Sequence, residues 1–261
     1  MRVIEPGLIP HRWSGELIPH RWSGEPIFAT LIERPNKFLA ICRIAGGAVE
    51  SHVPDRGRCL DLLVAGQPLV LVEVGGQERR AARRTRYTVL LARARTPPSP
   101  WVSLDPAGAP RLVAAALARG LLPELAGCSV VRRELTLPRL RARPRPRIDL
   151  LLRSPSGEDI ACEVKSVGAA RGGVALFPDA PTLRGLRHLA LLARLARRGL
   201  PAALVLCAQR GDVRAIAADE SIDPAFARAL RAARRAGVAV AGLCCAAHPG
   251  GMELVGPVPV L

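Results

Sequence analysis

The chain is poor in rings. Of its 261 residues only eight are aromatic: four Phe, three Trp and one Tyr. Proteins that grip single strands usually stack bases on aromatic side chains. So few rings argue for contact with a phosphate backbone and little base stacking. Acid is scarce too. The 22 Asp and Glu stand against 38 Lys and Arg, a formal net charge of +16. Such a surface points to a polyanionic partner, nucleic acid before membrane. There is no long apolar run. The longest uncharged stretch, residues 237–252, is broken by His248-Pro249-Gly250-Gly251, which excludes a membrane span. No C-x-x-C occurs, and the seven cysteines are odd in number, with several inside apolar runs. That argues against a disulfide framework or a zinc site, and for reduced, buried thiols in a cytosolic, cytoplasmic protein. No secretory signal is recognisable at the start.

What is present is a chain long enough for two domains, with 49% hydrophobic residues to fill their cores. Residues 8–16 and 17–25 are the same nonapeptide, LIPHRWSGE, in tandem. Two copies of nine are too few for a solenoid, so residues 1–25 read as a duplicated extension. Residues 26–33, 37–44, 48–53, 68–74 and 86–93 have strand character, with glycine pairs at 46–47 and 75–76 as turns. Five short strands at this spacing suit a small OB-like barrel over 26–95. Thr96-Pro97-Pro98-Ser99-Pro100 opens a connector, 96–108. An α/β domain with a mixed sheet follows over 109–261. It has helices at 111–119, from Thr182 to near Arg198, and from Asp223 to Ala236. Its strands are at 128–134, 147–152, 159–165, 202–208 and 238–243. Thr182 and Asp223 are the expected helix caps.

One stretch organises the second domain. Residues 147–165, RIDLLLRSPSGEDIACEVK, read as a hairpin about the turn Ser154-Pro155-Ser156-Gly157. Side chains alternate along a strand, so Glu163 and Lys165 share a face, and Cys162 and Val164 take the other. Folding about Ser156 sets Asp149 opposite Glu163. Two facing carboxylates need a compensating cation. Mg²⁺, held by one or two carboxylates with waters and phosphate oxygens, is the simplest. Lys165 would assist a metal-activated water. Lysine itself is rare here: Lys37 and Lys165 are the only two. The pattern Asp149…Glu163-x-Lys165 resembles the PD-(D/E)xK nuclease core. A ribbon with a solvated, mixed-charge face would carry the same residues. Candidate nucleic-acid contacts are Arg56 and Arg58 in a polar loop, Arg83 and Arg84 in a basic run, and Arg184, Arg187, His188 and Arg194 on the helix after Thr182.

RPNKFLA (34–40), GLLPELAG (120–127), RIDLLL, CEVKSV (162–167), FPDAPTLRGLRHL (177–189), AQRGD (208–212) and SIDPAFARALRAARRAGV (221–238) together identify a resemblance to the sugar fermentation stimulation protein A family. The resemblance implies an N-terminal OB-like domain and a C-terminal restriction-endonuclease-like α/β domain. It also implies DNA binding tied to sugar-fermentation genes, with Asp149, Glu163 and Lys165 as a nuclease-like triad. Here His52-Val53-Pro54-Asp55-Arg56-Gly57 stands where the family has His-Cys-Pro-Asn-Thr-Gly. The helix at 111–119 lacks the acid the family often has there, so a metal shell would hold one carboxylate fewer. DNA is the expected partner and a membrane is not. The oligomeric state is left open, a homo-oligomer included.

Overall fold

A computed structural model describes residues 24–74, 84–136 and 147–261. The nonapeptide duplication up to residue 23, Arg79, Arg80 and Arg83, and the arginine- and proline-rich connection at 138–146 lie outside the described residues.

The barrel is made by β1 (Ile27–Asn36), β2 (Leu39–Ile44), β3 (Gly47–His52), β4 (Pro68–Glu73) and β5 (Tyr87–Arg93). β1 pairs with β2 and β4, β2 with β3, and β4 with β5, all antiparallel. A parallel contact of β3 with β5 closes the ring. Closure removes the open edges that a five-strand ribbon would expose. The β1–β2 turn is held by Asn36, whose Oδ1 accepts the Phe38 N–H at 2.9 Å. The interior is aliphatic, with Leu31, Leu69, Leu71, Val89 and Leu104 at its centre.

Residues 96–108, expected to be a connector, contain a further strand, β6 (Trp101–Ser103). It pairs with β5 on one side and, through Trp101, with Ala247 of β14 (Ala239–His248) on the other. The hydrogen-bonded ladder therefore runs from the barrel into the second domain. Three residues are too short to show a period, which is why the strand is invisible in the sequence.

The part of this sheet in the second domain is built from β7 (Ser129–Thr136), β8 (Arg147–Arg153), β9 (Asp159–Val167), β12 (Ala202–Ala208), β14 and β15 (Gly251–Pro257). β9, β12 and β14 run parallel, and β7, β8 and β15 are antiparallel to their neighbours. β10 (Ala170–Arg171), β11 (Val174–Phe177) and β13 (Ala215–Ala218) form a small separate sheet. Helix α1 (Ala109–Ala118) packs Leu112, Val113 and Ala116 on one face, against Leu150, Cys162 and Val205. Helices α2 (Leu183–Ala196) and α3 (Pro224–Arg235) cover the other, against Ala161, Leu204 and Leu206. Both caps form as expected. Thr182 Oγ1 accepts the Gly185 N–H at 3.0 Å, and Asp223 Oδ1 accepts the Phe226 N–H at 2.9 Å. The second Asp223 oxygen accepts the Thr182 N–H at 2.9 Å, tying the start of α2 to the cap of α3. The last strand reaches His248, beyond the expected 243, and turns into β15. Its small residues, AVAGLCCAAH, hide the alternation by which a strand is read.

Candidate functional site

The hairpin β8–β9 has the register its alternation implies. Leu150 faces Cys162, Leu151 faces Ala161, and Leu152 faces Ile160. The ladder ends at the first of these pairs, and Asp149, the next residue of β8, reaches β9 through its side chain, close enough to feel the Glu163 charge. The turn is stiffened by Ser154, whose Oγ accepts the Glu158 N–H at 3.0 Å, and by Gly157 at φ 87°. Cys162 and Val164 join the layer under α1. Glu163 and Lys165 therefore face the layer that carries α2.

There the side chains converge. Glu163 is 2% exposed. Its Oε1 accepts from Lys165 Nζ at 2.5 Å and also meets His188 Nδ1. Lys165 Nζ and His188 Nδ1 are 3.2 Å apart, both aimed at that one oxygen. Asp149 Oδ2 accepts the Val164 N–H at 2.8 Å. The two acids are displaced in opposite directions. Burial alone would raise Glu163, but the His188 hydrogen bond and the Lys165 charge outweigh it and hold the carboxyl below its ordinary range. Burial, then the neighbouring Glu163 charge, pushes Asp149 above its ordinary range, with the Val164 N–H opposing in part. Paired acids driven apart in this way are typical of sites that handle protons or cations.

No three His, Cys, Asp or Glu side chains among the described residues form a metal-holding group. The donor set is instead two carboxylates, each with one oxygen, Asp149 Oδ1 and Glu163 Oε2, that takes no hydrogen bond from a described residue. Hard oxygen donors of this number suit Mg²⁺ or Ca²⁺ with waters and phosphate oxygens completing the shell. The acid-free helix α1 packs on the opposite face of the sheet from Glu163.

Helical spacing groups His188 with the arginines as a nucleic-acid contact, since it lies one turn from Arg184. The structure turns its ring toward Glu163, with 18% of the side chain exposed. Arg184, Arg187 and Arg194 lie along α2, and all three are exposed. Since His188 belongs to the same helix, the cationic ridge starts beside the carboxylates. On the barrel Arg56, Arg58 and Arg84 are all exposed. Arg83 lies outside the described residues.

Two features escape the sequence. Arg210 is 1% exposed, although a charge in this position reads as surface. It forms a two-pronged pair with Asp212 at 2.7 and 2.9 Å, donates to the Gly168 carbonyl at 2.8 Å, and reaches Asp61 of the barrel domain at 3.5 Å. Beside it, Asp179 Oδ2 accepts the Cys59 N–H at 3.1 Å. The same carboxylate sits so close to Gly57 that a Cβ there would overlap it. Nothing in the sequence pairs these segments, which are 120 residues apart.

Comparison with known proteins adds to this geometry. The profile of the sugar fermentation stimulation protein RE domain matches residues 108–251, and that of the SfsA N-terminal OB domain matches residues 32–104. A sugar fermentation stimulation protein homolog from Chloroflexus aurantiacus is 42% identical over 232 residues, covering 89% of this chain and 84% of the relative. One from Moorella thermoacetica is 38% identical over 234 residues, covering 90% and 96%. The solved structure of Pyrococcus furiosus SfsA in complex with Ca²⁺ superposes with a TM-score of 0.79 at 25% identity, over 92% of this chain and 97% of that one.

Proposed function

This chain belongs to the sugar fermentation stimulation protein family, and we propose that it binds duplex DNA through the phosphate backbone with its C-terminal domain, in the service of sugar-fermentation gene control. The observation that carries this reading is the joining of two features at His188. One is the pocket of Asp149, Glu163 and Lys165, and the other is the arginine ridge of α2. A duplex laid along Arg184, Arg187 and Arg194 would bring its backbone to the carboxylates. The net charge of +16 supports a partner of that sign. Binding through phosphates releases counterions, so affinity should fall steeply with salt. Replacing Arg184, Arg187 and Arg194 by Ala should flatten the log–log salt slope by about one for each phosphate no longer neutralised. An unchanged slope, or no retention of duplex near physiological salt, would refute the reading.

A second reading, a divalent-cation-dependent DNA endonuclease, is favoured by the two half-satisfied carboxylates and by the Ca²⁺ complex of the Pyrococcus furiosus protein. Mg²⁺, when bound, would supply Lewis-acid polarisation of a phosphate oxygen. Asp149 and Glu163 would hold it. Lys165 would orient the attacking water, and His188 would fix the Glu163 carboxylate. Supercoiled plasmid with Mg²⁺ or Mn²⁺ is the assay. Nicking that survives Asp149→Asn unchanged would place the activity elsewhere.

A further inference from the structure

The barrel carries a concave site of its own, about 510 Å³ in volume. Its lining includes Asn36 and Phe38 from the β1–β2 turn, Glu50 and His52 of β3, and Arg84 and Thr85 on the approach to β5. On five-stranded barrels of this kind the face of strands 2 and 3, with the loops joining strands 1–2 and 4–5, is where oligonucleotides or oligosaccharides bind. Residues of the β1–β2 turn, β2 and β3 line the cavity, which puts it on that face.

Three observations specify the ligand. Phe38 is a large ring left 41% exposed in a chain that has few rings to spare. Two cations stand over it, with Lys37 Nζ 5.0 Å and Arg56 Cζ 5.7 Å from the ring centroid. The loops bearing them are braced by one residue. The Arg34 guanidinium donates to the carbonyls of Lys37 at 3.2 Å, Gly57 at 3.0 Å and Arg58 at 2.5 Å. Solvated cations on mobile loops would have no need of such bracing. Lys37, Arg56 and Arg84, against Glu50 as the one acid among the described lining residues, favour a phosphodiester chain over a neutral sugar.

We propose that this face of the barrel binds single-stranded nucleic acid, with Phe38 stacking on a base and Lys37, Arg56 and Arg84 contacting the flanking phosphates. The site uses none of Asp149, Glu163, Lys165 or the α2 arginines, so it does not depend on the duplex reading. It also revises the expectation from aromatic scarcity. One exposed ring is enough for one base, and the phosphates supply the rest of the affinity.

The test is fluorescence anisotropy on the full chain, with a labelled oligothymidylate of about 15 nucleotides, within the span of one such barrel, and a duplex of equal length. Phe38→Ala should weaken single-strand binding roughly tenfold, the effect of removing one base–aromatic stack. Duplex affinity should move by less than about twofold, since backbone contacts need no ring. Phe38→Tyr should restore the single-strand affinity, and unchanged thermal midpoints would show that the variants fold. The triple arginine substitution on α2 should do the converse, weakening duplex binding and keeping single strand. Equal single-strand affinity in Phe38→Ala and wild type would overturn the proposal. So would a parallel loss of duplex, or displacement by a neutral oligosaccharide where excess unlabelled oligonucleotide fails to compete. Failure of the wild-type chain to bind duplex, with single-strand binding present, would count against the duplex reading only.

Discussion

The two domains bury different things. Among the described residues, the buried polar side chains inside the barrel are Ser51 and Thr88, both neutral, among aliphatic side chains. The α/β domain buries Glu163, Arg210, Asp219 and Asp223, and each has a partner. A barrel held by apolar packing can keep its charges on loops. The second domain sets charges within its fold, where water screens them little and each must be matched. Electrostatic changes should therefore be severe in one half, and apolar truncations severe and indifferent to pH in the other.

The largest expected effect is Arg210→Met. It leaves Asp212 without its two-pronged partner and Asp61 without a counter-charge, and removal of one member of a buried pair costs about 3–5 kcal/mol. Urea denaturation would read it, and a loss below about 1 kcal/mol would break the contrast, since it is the size expected of a surface pair. Next is Leu71→Ala, at a fully buried barrel position, with an expected loss of about 2–5 kcal/mol. The loss should be the same at pH 5 and pH 8 if the barrel interior is as neutral as its lining. Gly57→Ala follows. A Cβ there meets the Asp179 carboxylate, and relief of such overpacking costs about 1–3 kcal/mol.

Asp55→Asn should act in the opposite sense. Burial raises the Asp55 carboxyl above its ordinary range, and the charge of Asp179 adds to that rise. The Gly57 N–H and the Arg34 guanidinium oppose it. A group raised on folding contributes stability below its unfolded value and loses it as pH climbs through the folded one. Ionised Asp55 is thus a burden at neutral pH. Asparagine still offers the Oδ1 that accepts the Gly57 N–H at 2.8 Å. The variant should melt above wild type at pH 8, with the gap closing as pH falls. A gap independent of pH would remove the role given to burial and the Asp179 charge.

Much of this is legible in the sequence because local rules agree with the global fold. Parity and a Ser-Pro-Ser-Gly turn are enough to set the hairpin register and bring Asp149 near Glu163, since a slip of one residue would bury the wrong face. Thr182 and Asp223 announce their helices because an unpaired N–H at a helix start needs an oxygen nearby. The failures are equally physical. His188 falls at helical spacing from Arg184, and a stripe of that kind reads as solvated. Only tertiary packing of α2 against β9 turns the ring inward. Arg210 is buried because Asp61 and Asp212 arrive from different parts of the chain, and no window of sequence contains both contacts. The seven thiols are legible as structural. All are free and buried, and burial pushes Cys244 up to about 12, so native alkylation should be slow at neutral pH.

The short strand at Trp101–Ser103 bears on how the molecule can be dissected. Because it is shared between neighbours on both sides, a cut between residues 95 and 109 would leave each fragment with raw β-edge, a template for sticking to copies of itself. Halves made by truncation would report on their own aggregation. Single side-chain changes within the intact chain are the way to take its activities apart.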